Sequence, residues 1–137
     1  MTDERRYGSV RDWMTRAPAV VSEECPIHVA LGKMRAAEIR HLLVLEGDRL
    51  TGIVSNRDVR RLLADDPRAP GLGEPVRRIM TEGPVTATPE TPVPVAARLL
   101  LEGRIGALPV RDGDRIVGIF TTADALEALL AMLDARG

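Results

Sequence analysis

The sequence predicts an α/β fold in which one β-α-β-β-α unit is used twice, the two copies packed with pseudo-twofold symmetry. Three observations carry this. A shift of 66 residues lays one half of the chain over the other without a gap, the mark of a duplicated supersecondary unit. Between residues 10–63 and 76–129, 19 of the 54 aligned positions are identical. In each half the apolar pattern moves from a short extended run to helical spacing, to two extended runs, and back to helical spacing. Two copies do not make a solenoid. Halves of about 60 residues are marginal alone, so they are expected to pack on each other.

Each unit opens on a turn or helix stub, residues 10–14 and 76–80. A short extended piece follows, Ala19-Val20-Val21 or Val85-Thr86-Ala87. Pro26 and Pro92 are expected at the first helical position, where the missing N–H costs nothing. Thr91 is a good N-cap before Pro92, and Cys25 a poorer one before Pro26. Ile27, Ala30, Leu31 and Met34 recur at helical spacing, as do Val93, Ala97, Leu100 and Leu101, and the helices are expected to end near Ala37 and Gly103. Two strands then flank Gly47 in one copy and Gly113 in the other, a hairpin signal. Pro109 has no N–H, so its strand is expected at an edge or to start there. The closing helix carries Val59, Leu62 and Leu63 in the first copy. In the second it carries Ala125, Leu126, Leu129, Leu130 and Leu133. This second helix is longer and more apolar, and its surplus is expected to meet the other half or another subunit. Residues 65–75 are rich in proline and glycine and read as a linker between repeats at 8–64 and 76–133.

With 137 residues, 45 % apolar and 28 % charged, the chain has ordinary globular composition and room for one core. A net charge of −1 gives no field that would draw it to nucleic acid. Tyr7, Trp13 and Phe120 are too few for a base-stacking platform. Single Cys25 excludes an internal disulfide and fits a reducing compartment. No apolar run has membrane-spanning length, and residues 1–6 do not read as a signal peptide. A cytoplasmic location, with no membrane partner, is expected.

Chemistry concentrates at the last strand-to-helix junction. Gly52-Ile53-Val54-Ser55-Asn56-Arg57-Asp58 repeats as Gly118-Ile119-Phe120-Thr121-Thr122-Ala123-Asp124. Glycine permits close approach of a backbone or a ligand. The Ser55 or Thr121 hydroxyl stands at a helix start, where N–H groups and the helix dipole favour phosphate. Asp58 and Asp124 lie one turn on, where a carboxylate can accept two hydrogen bonds from the vicinal diol of a ribose. The same Ser-x-x-Asp spacing is also a capping arrangement. One copy alone would favour capping; two copies in identical context favour a nucleotide.

This doubled motif resembles the CBS-domain family, and the whole chain, about residues 8–133, resembles a tandem CBS pair, or Bateman module. The resemblance rests also on Trp13-Met14-Thr15 with Ile79-Met80-Thr81, and on Ile39-Arg40-His41-Leu42-Leu43-Val44 with Ile105-Gly106-Ala107-Leu108-Pro109-Val110. It implies two clefts between the repeats for adenosine-containing ligands, and a homodimer of pairs. Carried over by position, Asp58 and Asp124 would hold ribose, and Ser55 and Thr121, with neighbouring Thr122, would meet phosphate. The stretches at 19–22 and 85–88, including Val21 and Thr86, would line adenine, partly through backbone groups. Arg40, His41 and Arg57 would point toward phosphates in the first copy, where arginine forks onto oxygen well. The second copy has Gly106, Ala107 and Ala123 in their place.

No catalytic constellation accompanies these residues. His28 and His41 are not spaced as a metal pair, one cysteine cannot complete a zinc site, and there is no Walker or dinucleotide fingerprint. The expectation is therefore a stand-alone regulatory module, not an enzyme, with no obligatory cofactor. Its ligand would be AMP, ADP or ATP, with S-adenosylmethionine a further candidate, and it would signal through an unidentified protein. The alternative is a ligand-independent dimerisation or adaptor scaffold with vestigial clefts.

Overall fold

The computed structural model describes residues 4–65 and 71–136; residues 66–70, within the predicted linker, lie outside the described residues. In chain order the strands are β1 (Thr15–Arg16), β2 (Val20–Val21), β3 (His41–Glu46), β4 (Arg49–Ser55), β5 (Thr81–Glu82), β6 (Ala107–Asp112) and β7 (Arg115–Thr121). The helices are α1 (Ile27–Ala37), α2 (Asn56–Asp65), α3 (Val93–Gly103) and α4 (Thr122–Arg136). Single 3-10 turns at Val10–Asp12 and Val76–Arg78 open the two copies, and a further one spans Glu4–Tyr7. The chain is α/β, as the periodicity predicts.

Two compact units form, and they are not the two sequence repeats. An inner unit is Ala19–Pro84; an outer unit joins Met1–Pro18 to Val85–Gly137. The opening segment of each repeat therefore packs with the body of the other. In the inner unit the sheet order is β2-β3-β4-β5, and in the outer unit β1-β7-β6. Strand β5 pairs antiparallel with β4, Gly52 opposite Glu82; β1 pairs in the same way with β7, Gly118 opposite Arg16.

Both motif glycines are explained by this pairing. A Cβ on Gly52 would stand 2.6 Å from Met80 Sδ and 2.9 Å from the Thr81 carbonyl. One on Gly118 would stand 2.8 Å from both Met14 Sδ and the Thr15 carbonyl. The close approach is by the Met-Thr segment of the other repeat, and only a residue without a side chain admits it.

The two cores use equivalent positions. Ile27, Ala30, Met34, Leu42, Val44 and Val54 are buried in the inner unit; Val93, Ala96, Leu100, Leu108, Val110 and Phe120 take their places in the outer. The exchange reaches the cores as well, because Val76 completes the inner core and Val10 the outer.

The helix starts differ from expectation by one residue. Pro26 and Pro92, both at φ −61° and ψ 143°, are N-caps rather than first helical residues, and neither cap uses a side-chain hydrogen bond. The orphan N–H groups find carbonyls instead. Ile27 N–H donates to Glu74 O and His28 N–H to Leu72 O, both at 2.8 Å, while Val93 N–H donates to Gly8 O at 3.1 Å. Thr91 does not cap the helix; its Oγ1 accepts from Thr88 N–H at 2.9 Å and closes a turn. The helix ends at Ala37 and Gly103 are as expected.

Pro109 sits on β6, which has β7 on one side and a single parallel bridge, Ala87 to Val110, on the other. In the inner unit Leu43 N–H donates to Ala19 O at 3.1 Å, and β2 forms there. Pro109 stands where Leu43 would, has no N–H, and cannot make the matching bond to Val85. The second copy of β2 therefore shrinks to one bridge.

Candidate functional site

Each set of candidate residues falls inside one unit: Val21, Arg40, His41, Ser55, Arg57 and Asp58 in the inner, Thr86, Thr121, Thr122 and Asp124 in the outer. Local folding brings most of the inner set together. Helix α1 ends on Glu38 in the left-handed region at φ 56°, and Ile39 N–H closes back on Met34 O at 2.9 Å. Ile39 packs against the inner core, the apolar clasp that goes with this helix end. The chain is thereby turned so that Arg40 and His41 follow at once. His41 opens β3 as the register partner of Ser55, which closes β4. Asn56 N–H donates to Arg40 O at 2.9 Å, tying the Arg40 backbone to the first turn of α2.

Ser55 and Asp58 bond each other. Ser55 N–H donates to Asp58 Oδ2 at 2.8 Å, and Asp58 N–H donates to Ser55 Oγ at 3.1 Å. Thr121 and Asp124 repeat this at 2.8 Å and 3.2 Å. Both motifs are reciprocal capping boxes. The arrangement leaves the second carboxylate oxygen and the hydroxyl proton with capacity for another partner. The outer unit also repeats the backbone tie, with Thr122 N–H on Gly106 O at 3.0 Å.

Electrostatics separate the two copies. Burial pushes His41 below its ordinary 6.5; the Asp58 carboxylate acts upward, and the Arg40 and Arg57 cations push it down further. Arg40, Arg57 and Asp58 thus all lie close enough to act on His41, and the two arginine side chains are exposed. In the outer unit the corresponding side chains are uncharged, and Asp124 is 9 % exposed. The stretches expected to line adenine are mixed. Val21 turns its side chain into the inner core, so only its backbone can face a ligand, whereas Val20 is 41 % exposed. Thr86 is half-buried and Val85 exposed.

Among the described residues no cluster of histidine, cysteine or carboxylate side chains could hold a metal, and no helix is long and apolar enough to cross a membrane. Burial raises the Cys25 thiol above its ordinary value, with Lys33 and a hydrogen bond from the Ala30 backbone acting against it; thiolate is what a nucleophile needs. The role of Met14 and Met80 against the glycines was missed by sequence reasoning. Their identity across the repeat was the only signal, and it does not say which methionine meets which glycine.

Comparison with known proteins bears on both copies. The model of the CBS domain matches residues 10–65 and again 76–131. A CBS domain-containing protein of Dictyostelium discoideum is 32 % identical over 136 residues, covering 91 % of this chain and 93 % of that protein. Among solved structures, CBSX2 in complex with AMP is 30 % identical with a TM-score of 0.77, covering 90 % of this chain and 97 % of that one. The CBS domain pair of protein MJ0100, in complex with 5′-methylthioadenosine and S-adenosyl-L-methionine, is 25 % identical with a TM-score of 0.81 and the same coverage. With both halves matched by the family model and one relative aligned along nearly its full length, the chain belongs to the CBS-domain family as a tandem pair.

Proposed function

We propose that this chain is a regulatory module, not an enzyme, that binds adenosine-containing ligands and signals as a homodimer through a partner protein in the cytoplasm. The observation that carries the reading is the gathering of Arg40, His41 and Arg57 around the Ser55–Asp58 pair of the inner unit. That group suits AMP, ADP or ATP: the carboxylate takes the ribose diol, and the cations take phosphate oxygens. The Thr121–Asp124 site, with Thr122 next to Thr121 in sequence and Thr86 in the same unit, has no matching cations. It suits an adenosine compound of lower negative charge, such as S-adenosylmethionine. The AMP, methylthioadenosine and S-adenosylmethionine in the similar structures support both assignments.

A second reading is favoured by one observation. Ser55 with Asp58, and Thr121 with Asp124, already satisfy each other as capping boxes, so their presence alone does not require a ligand. In that reading the pair is an adaptor. Thermal shifts of the purified chain with AMP, ADP, ATP, S-adenosylmethionine, methylthioadenosine and adenosine separate the two. A ligand at 100 times its Kd adds about 2.7 kcal/mol of stability. A selective shift, reduced for AMP and ATP but not for adenosine in Arg40→Ala, supports the sensor. No shift with any of the six at millimolar concentration leaves the adaptor.

A further inference from the structure

The two units fold alike, but their helix pairs are filled differently. Between α3 and α4 of the outer unit runs a groove of about 930 Å³, within the range of small-molecule pockets. Its walls are apolar, with Ala97, Leu101, Ala125, Leu126 and Leu129 among them. The duplication shows what holds it open. Ile27 N–H bonds to Glu74 O as Val93 N–H bonds to Gly8 O, so positions 66 residues apart match here too. At those positions the inner unit has Leu31 for Ala97, Val59 for Ala125 and Leu72 for Arg6. Val59 is buried in the inner core, and Leu31 and Leu72 pack against it. The outer unit gives up this bulk at two alanines, and Arg6 lines the groove without closing it.

Charge identifies the occupant. Arg6 and Arg104 are the charged side chains among the described residues of the lining, and both are cations. Arg104 stands where α3 ends and α4 begins, since Thr122 N–H bonds to Gly106 O. Arg6 stands by the start of α3, its guanidinium 5.1 Å from the centre of the Tyr7 ring. The 11 residues of α3 set the two ends about 16 Å apart. The helices also carry Arg98, Glu102, Glu127 and Asp134, all exposed and none of them lining the groove, while Asp124 is buried against Thr121 N–H. The inner unit has an acid, Glu38, at the place of Arg104, at the same left-handed helix end. Bulk has thus become alanine and an acid has become arginine around one groove. Apolar walls ending at a guanidinium suit an aliphatic chain that ends in a carboxylate, which arginine takes with two parallel hydrogen bonds. We infer that the outer unit binds a free fatty acid, its carboxylate on Arg104 and its tail along α3 and α4 toward Tyr7. This site lies beyond the adenosine ligands of the proposed function and does not depend on them.

Calorimetry of the full chain with laurate, kept below its micelle concentration, tests it. One laurate per chain should bind saturably, at least about tenfold more tightly than dodecanol, because only the carboxylate makes charge-assisted hydrogen bonds. Dodecyltrimethylammonium should bind more weakly than either. Arg104→Glu copies the inner residue onto an exposed position. It should lower laurate affinity at least about tenfold and change dodecanol affinity by less than about twofold. Ala97→Leu with Ala125→Val refills the groove as the inner unit fills its own, and should abolish binding of both with circular dichroism unchanged. If that double variant does not fold, Arg104→Glu decides alone. Equal affinity for laurate and dodecanol, or laurate affinity unmoved by Arg104→Glu, overturns the site. So does laurate binding that survives in a folded, refilled variant. Absence of saturable laurate binding overturns it as well, and sedimentation then tells whether a second copy covers the groove or the chain is a monomer.

Discussion

Asp58 serves the fold before it serves any ligand, because its Oδ2 caps the start of α2 through Ser55 N–H. Asp58→Ala therefore has two expected effects. It should weaken AMP binding, and it should cost about 1 kcal/mol of stability through the lost cap. Asp58→Asn separates them: the amide oxygen can still accept from Ser55 N–H, so urea unfolding should move less than for alanine while AMP affinity, by calorimetry, still falls. Glu38 and Arg104 are strained at the same scale, with φ of 56° and 53° at the helix ends. Glycine pays no Cβ penalty there, so Glu38→Gly should stabilise the chain by up to about 1 kcal/mol in a urea melt. A destabilised variant would mean that the Glu38 side chain holds something worth more than the strain. His41 sets a pH dependence. Its value in the folded chain lies below 6.5, so the folded state favours neutral imidazole. Its contribution is present above pH 6.5 and is lost as pH falls through the folded value. Melting temperature measured downward from pH 7 should fall less steeply in His41→Asn than in the wild type, and parallel curves would show that His41 is not the titrating group.

At the scale of elements, the two copies differ where a single residue removes a donor or where none can be added. Pro109 ends the ladder that Leu43 continues, so the strand at Val20–Val21 has only a bridge as its counterpart. Gly52 and Gly118 work in the opposite sense. Each leaves room that the entering Met-Thr strand fills, down to 2.6–2.9 Å from where a Cβ would stand. Gly118→Ala should therefore push β1 off β7 and cost about 1–3 kcal/mol, the usual cost of overpacking. Hydrogen exchange should locate the loss at Thr15–Arg16 and Arg115–Thr121. Uniform loss across both units would mean that the strand contact is not what the glycine protects. The exposed pairs Arg11–Glu90 and Arg77–Glu24, at 2.6 Å and 2.8 Å, tie the same entering segments, but at their exposure each is worth at most about 1 kcal/mol. Burial of Val10 and Val76, with the backbone bonds of Val10 N–H to Thr91 O and Val76 N–H to Cys25 O, both at 2.8 Å, holds the segments more firmly than these ion pairs.

For the whole molecule, helices, hairpins and the doubled Ser/Thr-to-Asp motif were legible because each rests on spacing within about fifteen residues, the range over which periodicity and capping act. The gathering of His41 with Ser55 was half legible: the hairpin implies it, but only the register fixes it. The exchange of opening segments was not legible. A duplicated sequence offers Val10 two equivalent cores and Met14 two equivalent glycines, and no local pattern separates the cis pairing from the crossed one. The structure selects the crossed pairing, with Val10 buried beside Phe120 and Val76 beside Val54. This has a consequence that runs against sequence position. Val10→Ala removes two buried methyl groups from the outer core and should cost about 2 kcal/mol, counting transfer and cavity terms. The loss of amide protection should appear in β6 and β7, about a hundred residues away, and spare β3 and β4. Val76→Ala should do the reverse, loosening β3 and β4 while β6 and β7 keep their protection. The two variants read against each other in one exchange experiment, so a general loss of stability cannot imitate the result. Protection lost within each variant's own sequence repeat would establish the uncrossed pairing instead.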